Sequence, residues 1–185
     1  MKKKTLALVL ALVLVGIIGG TIAWLTDSTE EVVNTFTDSN IEITLKETTG
    51  EEYKMVPGYT IGKDPKVTVE AGSEKCYLFV KLEKSDNFTD FLTYEMADGW
   101  IALDGVDNVY YRTVDTADKD TVYSVLKDDQ VIVKGNVTKE MMNDLTKDNY
   151  PTLNVTAYAS QYNKNATESF AVNEAWTNIT TSSGN

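Results

Sequence analysis

The chain has 185 residues, with 17 Lys and Arg against 28 Asp and Glu, one cysteine, no histidine and a formal net charge of −11. Without histidine there is no Ser-His-Asp or Cys-His nucleophile and no His-based zinc site, since each needs an imidazole near neutral pH. A single arginine, Arg112, within an acid excess argues against nucleic acid, whose phosphates require clustered Lys and Arg.

The first element is an export signal. Lys2, Lys3 and Lys4 precede an apolar run from Leu6 to Leu25, and an acidic stretch from Asp27 to Glu31 follows. A basic head on an apolar core directs the following chain out of the cytoplasm. The run is about 20 residues, long enough to span a bilayer, so a retained anchor is the alternative to cleavage. Gly16, Gly19 and Gly20 weaken it as an anchor, at about 1 kcal/mol each against Ala. Cleavage is expected between Ala23 and Trp24, with Thr21 and Ala23 as the small residues of the peptidase site. No cysteine lies near this junction for a lipid anchor.

Residues 24–39 form a polar segment with an apolar patch at Val32, Val33 and Phe36. Strict alternation then begins, with Ile41, Ile43 and Leu45 on one face, which predicts a half-buried strand. Turns are predicted at Thr49-Gly50 and at Val56 to Tyr59, where Pro57 fixes φ and Gly58 is free to adopt positive φ. Lys66 to Glu70 and Cys76 to Lys84 are strands, the second with apolar residues on both faces as in a central strand. Further strands are predicted from Trp100 to Leu103, Asn108 to Arg112, Val122 to Leu126 and Gln130 to Lys134, with turns at Asp104-Gly105 and Lys134-Gly135.

Thr138 to Lys147 is the best helix, with Thr138 as N-cap and Met141, Met142 and Leu145 on one face. After Pro151 a long strand is expected to turn Leu153, Val155, Ala157 and Ala159 inward and Asn154, Thr156, Tyr158 and Ser160 outward. Phe170 to Ile179 is a last short helix presenting Ala175, Trp176 and Ile179 to the core, followed by a polar tail. About nine short strands and one or two short helices imply one all-β domain, a sandwich or barrel. The division expected is a signal over 1–23, an N-terminal segment over 24–39, the β-sandwich over 40–180 and a tail over 181–185.

Several of these stretches resemble the TasA/camelysin family. The carrying residues are GGTIAWLTD at 19–27, NTF at 34–36, MVPG at 55–58, VTV at 67–69, CYLFVK at 76–81, LNVTAYASQ at 153–161 and the pair Ala175 and Trp176. The resemblance implies a jelly-roll β-sandwich and a dedicated signal peptidase of the SipW type. It also implies a secreted subunit of biofilm-matrix or surface fibres of a Gram-positive bacterium. In such fibres the N-terminal segment of one subunit completes the sheet of its neighbour, which makes Val32, Val33 and Phe36 the donor side chains here. An intramolecular first strand or a free tail is the alternative. The casein cleavage associated with the name camelysin is not carried over, because a zinc site without histidine or a thiolate cage is unusual.

Three other features have bland and functional readings. Asp104 with Asp107, Asp115 with Asp118 and Asp120, and Asp128 with Asp129 are oxygen-rich enough for calcium but match no EF-hand loop, and solvated turns are the simpler reading. Trp100, Tyr110 and Tyr111 make either a sugar-stacking platform or cross-strand packing. Cys76 is either a buried thiol or a bridge to another copy. Five Asn-x-Thr sequons, at Asn87, Asn136, Asn154, Asn165 and Asn178, reflect Thr-rich strands in a bacterial-type secreted chain. The expectation is a non-enzymatic fibre subunit that needs no cofactor. The runner-up is a monomeric surface or matrix protein that binds a fibre subunit or polysaccharide.

Overall fold

The nine residues Cys76–Lys84 form the strand around which the molecule is layered, because their apolar side chains leave on both faces. The computed structural model describes residues 31–32, 40–49, 53–116 and 118–182, with backbone alone at 31, 32 and 182. In chain order the described strands are β1 (Glu31–Val32), β2 (Ile43–Lys46), β3 (Thr60–Gly62), β4 (Lys66–Val69) and β5 (Cys76–Lys84). They continue with β6 (Leu92–Thr93), β7 (Ile101–Ala102), β8 (Val109–Val114), β9 (Thr121–Ser124), β10 (Gln130–Val133) and β11 (Leu153–Gln161). The helices are α1 (Phe88–Phe91), α2 (Lys139–Asn143) and α3 (Val172–Ser182).

The fold is an all-β sandwich. One layer is a five-stranded sheet in the order β1-β11-β5-β8-β7. The facing layer is two three-stranded sheets, β3-β10-β6 and β2-β4-β9. Between them lies the main core. Leu78, Val80 and Leu82 of β5 and Leu153, Val155 and Ala157 of β11 meet Ile43, Val67, Val131 and Val133 from the opposite sheets. Each fully buried Val or Leu side chain contributes about 1.5 to 3 kcal/mol, so this layer holds the sandwich shut without a disulfide. Cys76 is free and buried within it.

A second, smaller core lies on the other face of the five-stranded sheet. Tyr77 and Phe79 point there, against Ala175, Trp176 and Ile179 of α3. Phe79 and Trp176 have ring centroids 5.3 Å apart, and Tyr158 meets the same indole edge-on at 5.3 Å. The central-strand reading of β5 and the core-facing trio of α3 therefore agree with the structure.

Several local expectations agree as well. Ile41, Ile43 and Leu45 are buried. The Pro57-Gly58 turn closes with Tyr59 N–H donating to Val56 O at 3.0 Å, and Gly58 has a φ of +79°. Thr138 caps α2 by accepting from Met141 N–H at 3.3 Å.

Others are corrected. The helix predicted over Thr138 to Lys147 is five residues long, Lys139–Asn143, because a cluster of bonds around Asn149 takes over at its end. The last helix runs through Ser182, so Thr180 and Thr181 are helical rather than tail; their hydroxyls donate to Trp176 O and Thr177 O. Thr156 and Ser160, expected to face out, are buried because α3 covers that face of β11. Eleven strands, three α-helices and one 3-10 turn, Lys127–Asp129, are described against about nine strands and one or two helices expected. The additions β3, β6 and α1 are too short to show a period.

Candidate assembly edge

The edge of the five-stranded sheet is where the N-terminal segment meets the body. β11 pairs with β5 along all nine of its residues, antiparallel, from Leu153↔Lys84 to Gln161↔Cys76. On its other side the described partner is β1, two residues long and parallel, in the register Glu31↔Ala157 and Val32↔Tyr158. Of the described residues, Glu31 and Val32 are the ones that pair with this side of the nine-residue strand. Each backbone hydrogen bond at such an edge contributes about 0.5 to 1.5 kcal/mol net. A sheet edge of this kind accepts any strand that supplies the same groups.

Glu31 and Val32 are the described residues of this segment. Val33 and Phe36, the other donor candidates, and Ala23 and Trp24 of the cleavage site lie outside the described residues, as does the whole signal expected over 1–23. No described helix is long and apolar enough to cross a membrane.

The aromatic platform is not assembled. Trp100 is 9% exposed, with its indole N–H donating to Ser124 O at 2.8 Å. Tyr110 packs against the main core, whereas Tyr111 packs on the α3 side. Neighbours in a strand face opposite ways, so these two tyrosines cannot share a surface.

The acidic pairs do not converge either. Asp115 pairs with Lys75 at 2.9 Å, Asp129 with Lys66 at 3.0 Å, and Asp120 accepts from Ala71 N–H at 2.9 Å. Among the described residues no group of three acidic, His or Cys side chains is arranged to hold a metal. At Cys76, burial pushes the thiol up to about 12, so it stays protonated and inert at neutral pH. A bridge to another copy would require the folded strand to open.

Two polar clusters escaped sequence reasoning. One is buried between β2 and β4, where Lys63 reaches Glu47 and where Asp64 holds the chain at Thr48 and Thr49. The other surrounds the lone arginine. Arg112 lies on β8 with its guanidinium carbon 4.0 Å from the Tyr123 ring centroid and 5.3 Å from that of Trp100. A rare residue type was the only signal available for the second cluster, and nothing in the sequence names its ring partners.

Compared with known proteins, the chain matches no family model, no curated protein and no solved structure.

Proposed function

We propose that this chain is a secreted structural subunit that assembles with itself into extracellular fibres by exchanging its N-terminal segment. The single observation that carries the reading is the parallel pairing of Glu31–Val32 with Ala157 and Tyr158 at the edge of β11. A segment held at a sheet edge by backbone pairing can be replaced by the same segment from another copy, which satisfies the same edge. Such donation is heterologous and does not close on itself, so it propagates into a filament. The apolar signal controls this step. While residues 1–23 remain attached, the segment is tethered at the membrane, and cleavage after Ala23 by a SipW-type peptidase releases it. The resemblance at 19–27 and 34–36 supports the same reading. The product is a surface or matrix fibre of a Gram-positive bacterium, and the subunit acts by assembly rather than by catalysis.

The test is removal of residues 24–39 from the mature protein, with filaments scored by electron microscopy and folding by circular dichroism. Lost filaments with a folded monomer are expected. Unchanged filaments would sink the reading. A full-length mature protein that is monomeric at all concentrations would favour the runner-up, an accessory protein whose first strand stays in its own slot and which binds another fibre subunit or a polysaccharide.

A further inference from the structure

The far rim of the sandwich carries the only arginine of the chain in an unusual setting. Among the described residues β7 is the last strand of the five-stranded sheet and β9 the last strand of a facing sheet. Trp100 joins them, leading into β7 while its N–H donates to Ser124 O at the end of β9. Arg112 comes from β8 between these strands and packs on Trp100 and Tyr123. Gly99 makes room for it: a Cβ there would lie 2.6 Å from Arg112 Nη2. Two aromatic faces and a bare backbone therefore hold the guanidinium in one place.

Among the described residues the guanidinium has no acidic partner. The ion pairs of the described residues run through Lys63, Lys66, Lys75, Lys81, Lys127 and Lys164, and Arg112 enters none of them. It donates no hydrogen bond to a described residue either. Half-burial draws its pKa down, and no carboxylate offsets this. A fixed planar fork of N–H donors, partly stripped of water and without an anion, is matched by a carboxylate that binds both arms.

We propose that the Trp100–Arg112–Tyr123 stack receives a carboxylate presented by a second copy of this chain. Three observations select that partner. The chain carries 28 acidic residues against 17 basic ones, so a second copy has carboxylates in excess to offer. Upstream of Ser124 the outer edge of β9 has no strand partner among the described residues, which offers backbone pairing beside the clamp, as a peptide needs. Trp100 is buried and the guanidinium lies over the half-buried Tyr123 ring, so the stack presents a cation rather than a bare aromatic face to a ligand. The identity of the partner as a second copy rests on the fibre reading. A non-closing assembly uses two different faces, and this rim is at the opposite end of the five-stranded sheet from β1.

Because Arg112 is the only arginine, an arginine-selective dicarbonyl reagent, scored on the peptide that carries Arg112 and apart from the N-terminal amine, reads this site. The mature protein is labelled with phenylglyoxal as monomer and as filament, and modification is quantified by mass. A severalfold drop in labelling rate on assembly is expected. In parallel, Arg112→Gln and Arg112→Lys are compared with wild type for assembly rate by light scattering and for folding by thermal melting. Both are expected to slow assembly severalfold. The lysine variant keeps charge and stem, melts near wild type, and still loses the two-armed contact. Equal labelling of monomer and filament would overturn the proposal and leave the fibre reading intact, as would wild-type assembly by the folded lysine variant. Absence of filaments from the unmodified protein would overturn the fibre reading and, with it, this partner.

Discussion

Lys63 is among the largest fully buried side chains of the molecule, and its Nζ sits 2.9 Å from Oε2 and 3.2 Å from Oε1 of Glu47. The same carboxylate accepts from Thr49 Oγ1 at 3.0 Å. A lysine at 1% exposure is tolerated because its charge is matched and hydrogen-bonded inside the fold. Removing one partner strands the other. Glu47→Gln and Lys63→Met are each expected to lower stability by about 3 to 5 kcal/mol. Replacing both together by apolar residues of similar volume should cost less than the sum of the two. Chemical denaturation of the three variants checks this, and strict additivity would show that the pair is not coupled.

Asp64 anchors the neighbouring loop and makes acid sensitivity specific. It accepts from Thr48 N–H and Thr49 N–H at 2.8 Å each and from Thr48 Oγ1 at 2.6 Å. Burial pushes its pKa up, but the hydrogen bonds from Thr48 and Thr49 outweigh it and hold the carboxyl well below the usual range. A depressed folded-state pKa means stability that is present above the unfolded value, near 3.9, and lost as pH falls toward the folded one. Asp64→Asn is therefore expected to flatten the loss of stability below about pH 4. Denaturant midpoints at pH 3 and pH 6 decide it; an unchanged acid slope would remove Asp64 from the account.

Cys76 should behave as a silent thiol in the native state. It is fully buried, and burial raises its pKa to about 12. A disulfide-type reagent at neutral pH is expected to react only as fast as β5 opens, and to react at once in denaturant. Non-reducing gels of the purified protein should show no covalent dimer. Rapid labelling of folded protein would overturn the placement of this strand at the centre of the sheet.

Trp176 joins α3 to the sheet through Phe79 and Tyr158, both at 5.3 Å between centroids. Trp176→Ala is expected to cost about 3 to 5 kcal/mol, the range for a large aromatic deleted from a core. It should also free α3 before the sandwich itself unfolds, since the main core lies on the other face of the sheet. Hydrogen exchange over 172–182, faster than over β5, would record this, and uniform exchange would mean that both cores melt together.

Much of the fold was determined by the amino-acid order alone, and much of what matters for assembly was not. A period of two marked β2, β5 and β11, Pro57-Gly58 marked a turn, and Ala175, Trp176 and Ile179 marked the inner face of α3, because each is a local pattern over a few residues. The same patterns said which side chains share a face but not what lies against it. Thr156 and Ser160 looked solvent-facing until α3 covered them, and only the sheet decided that Tyr110 and Tyr111 pack on opposite faces rather than forming one platform. Residues 31 and 157 are neighbours, as are 112 and 123, and Lys63 finds Glu47, only because closing the sandwich brings distant segments together. Pairing of that kind is decided by the packing of whole layers and the closure of the loops between them, and no short window of sequence contains it.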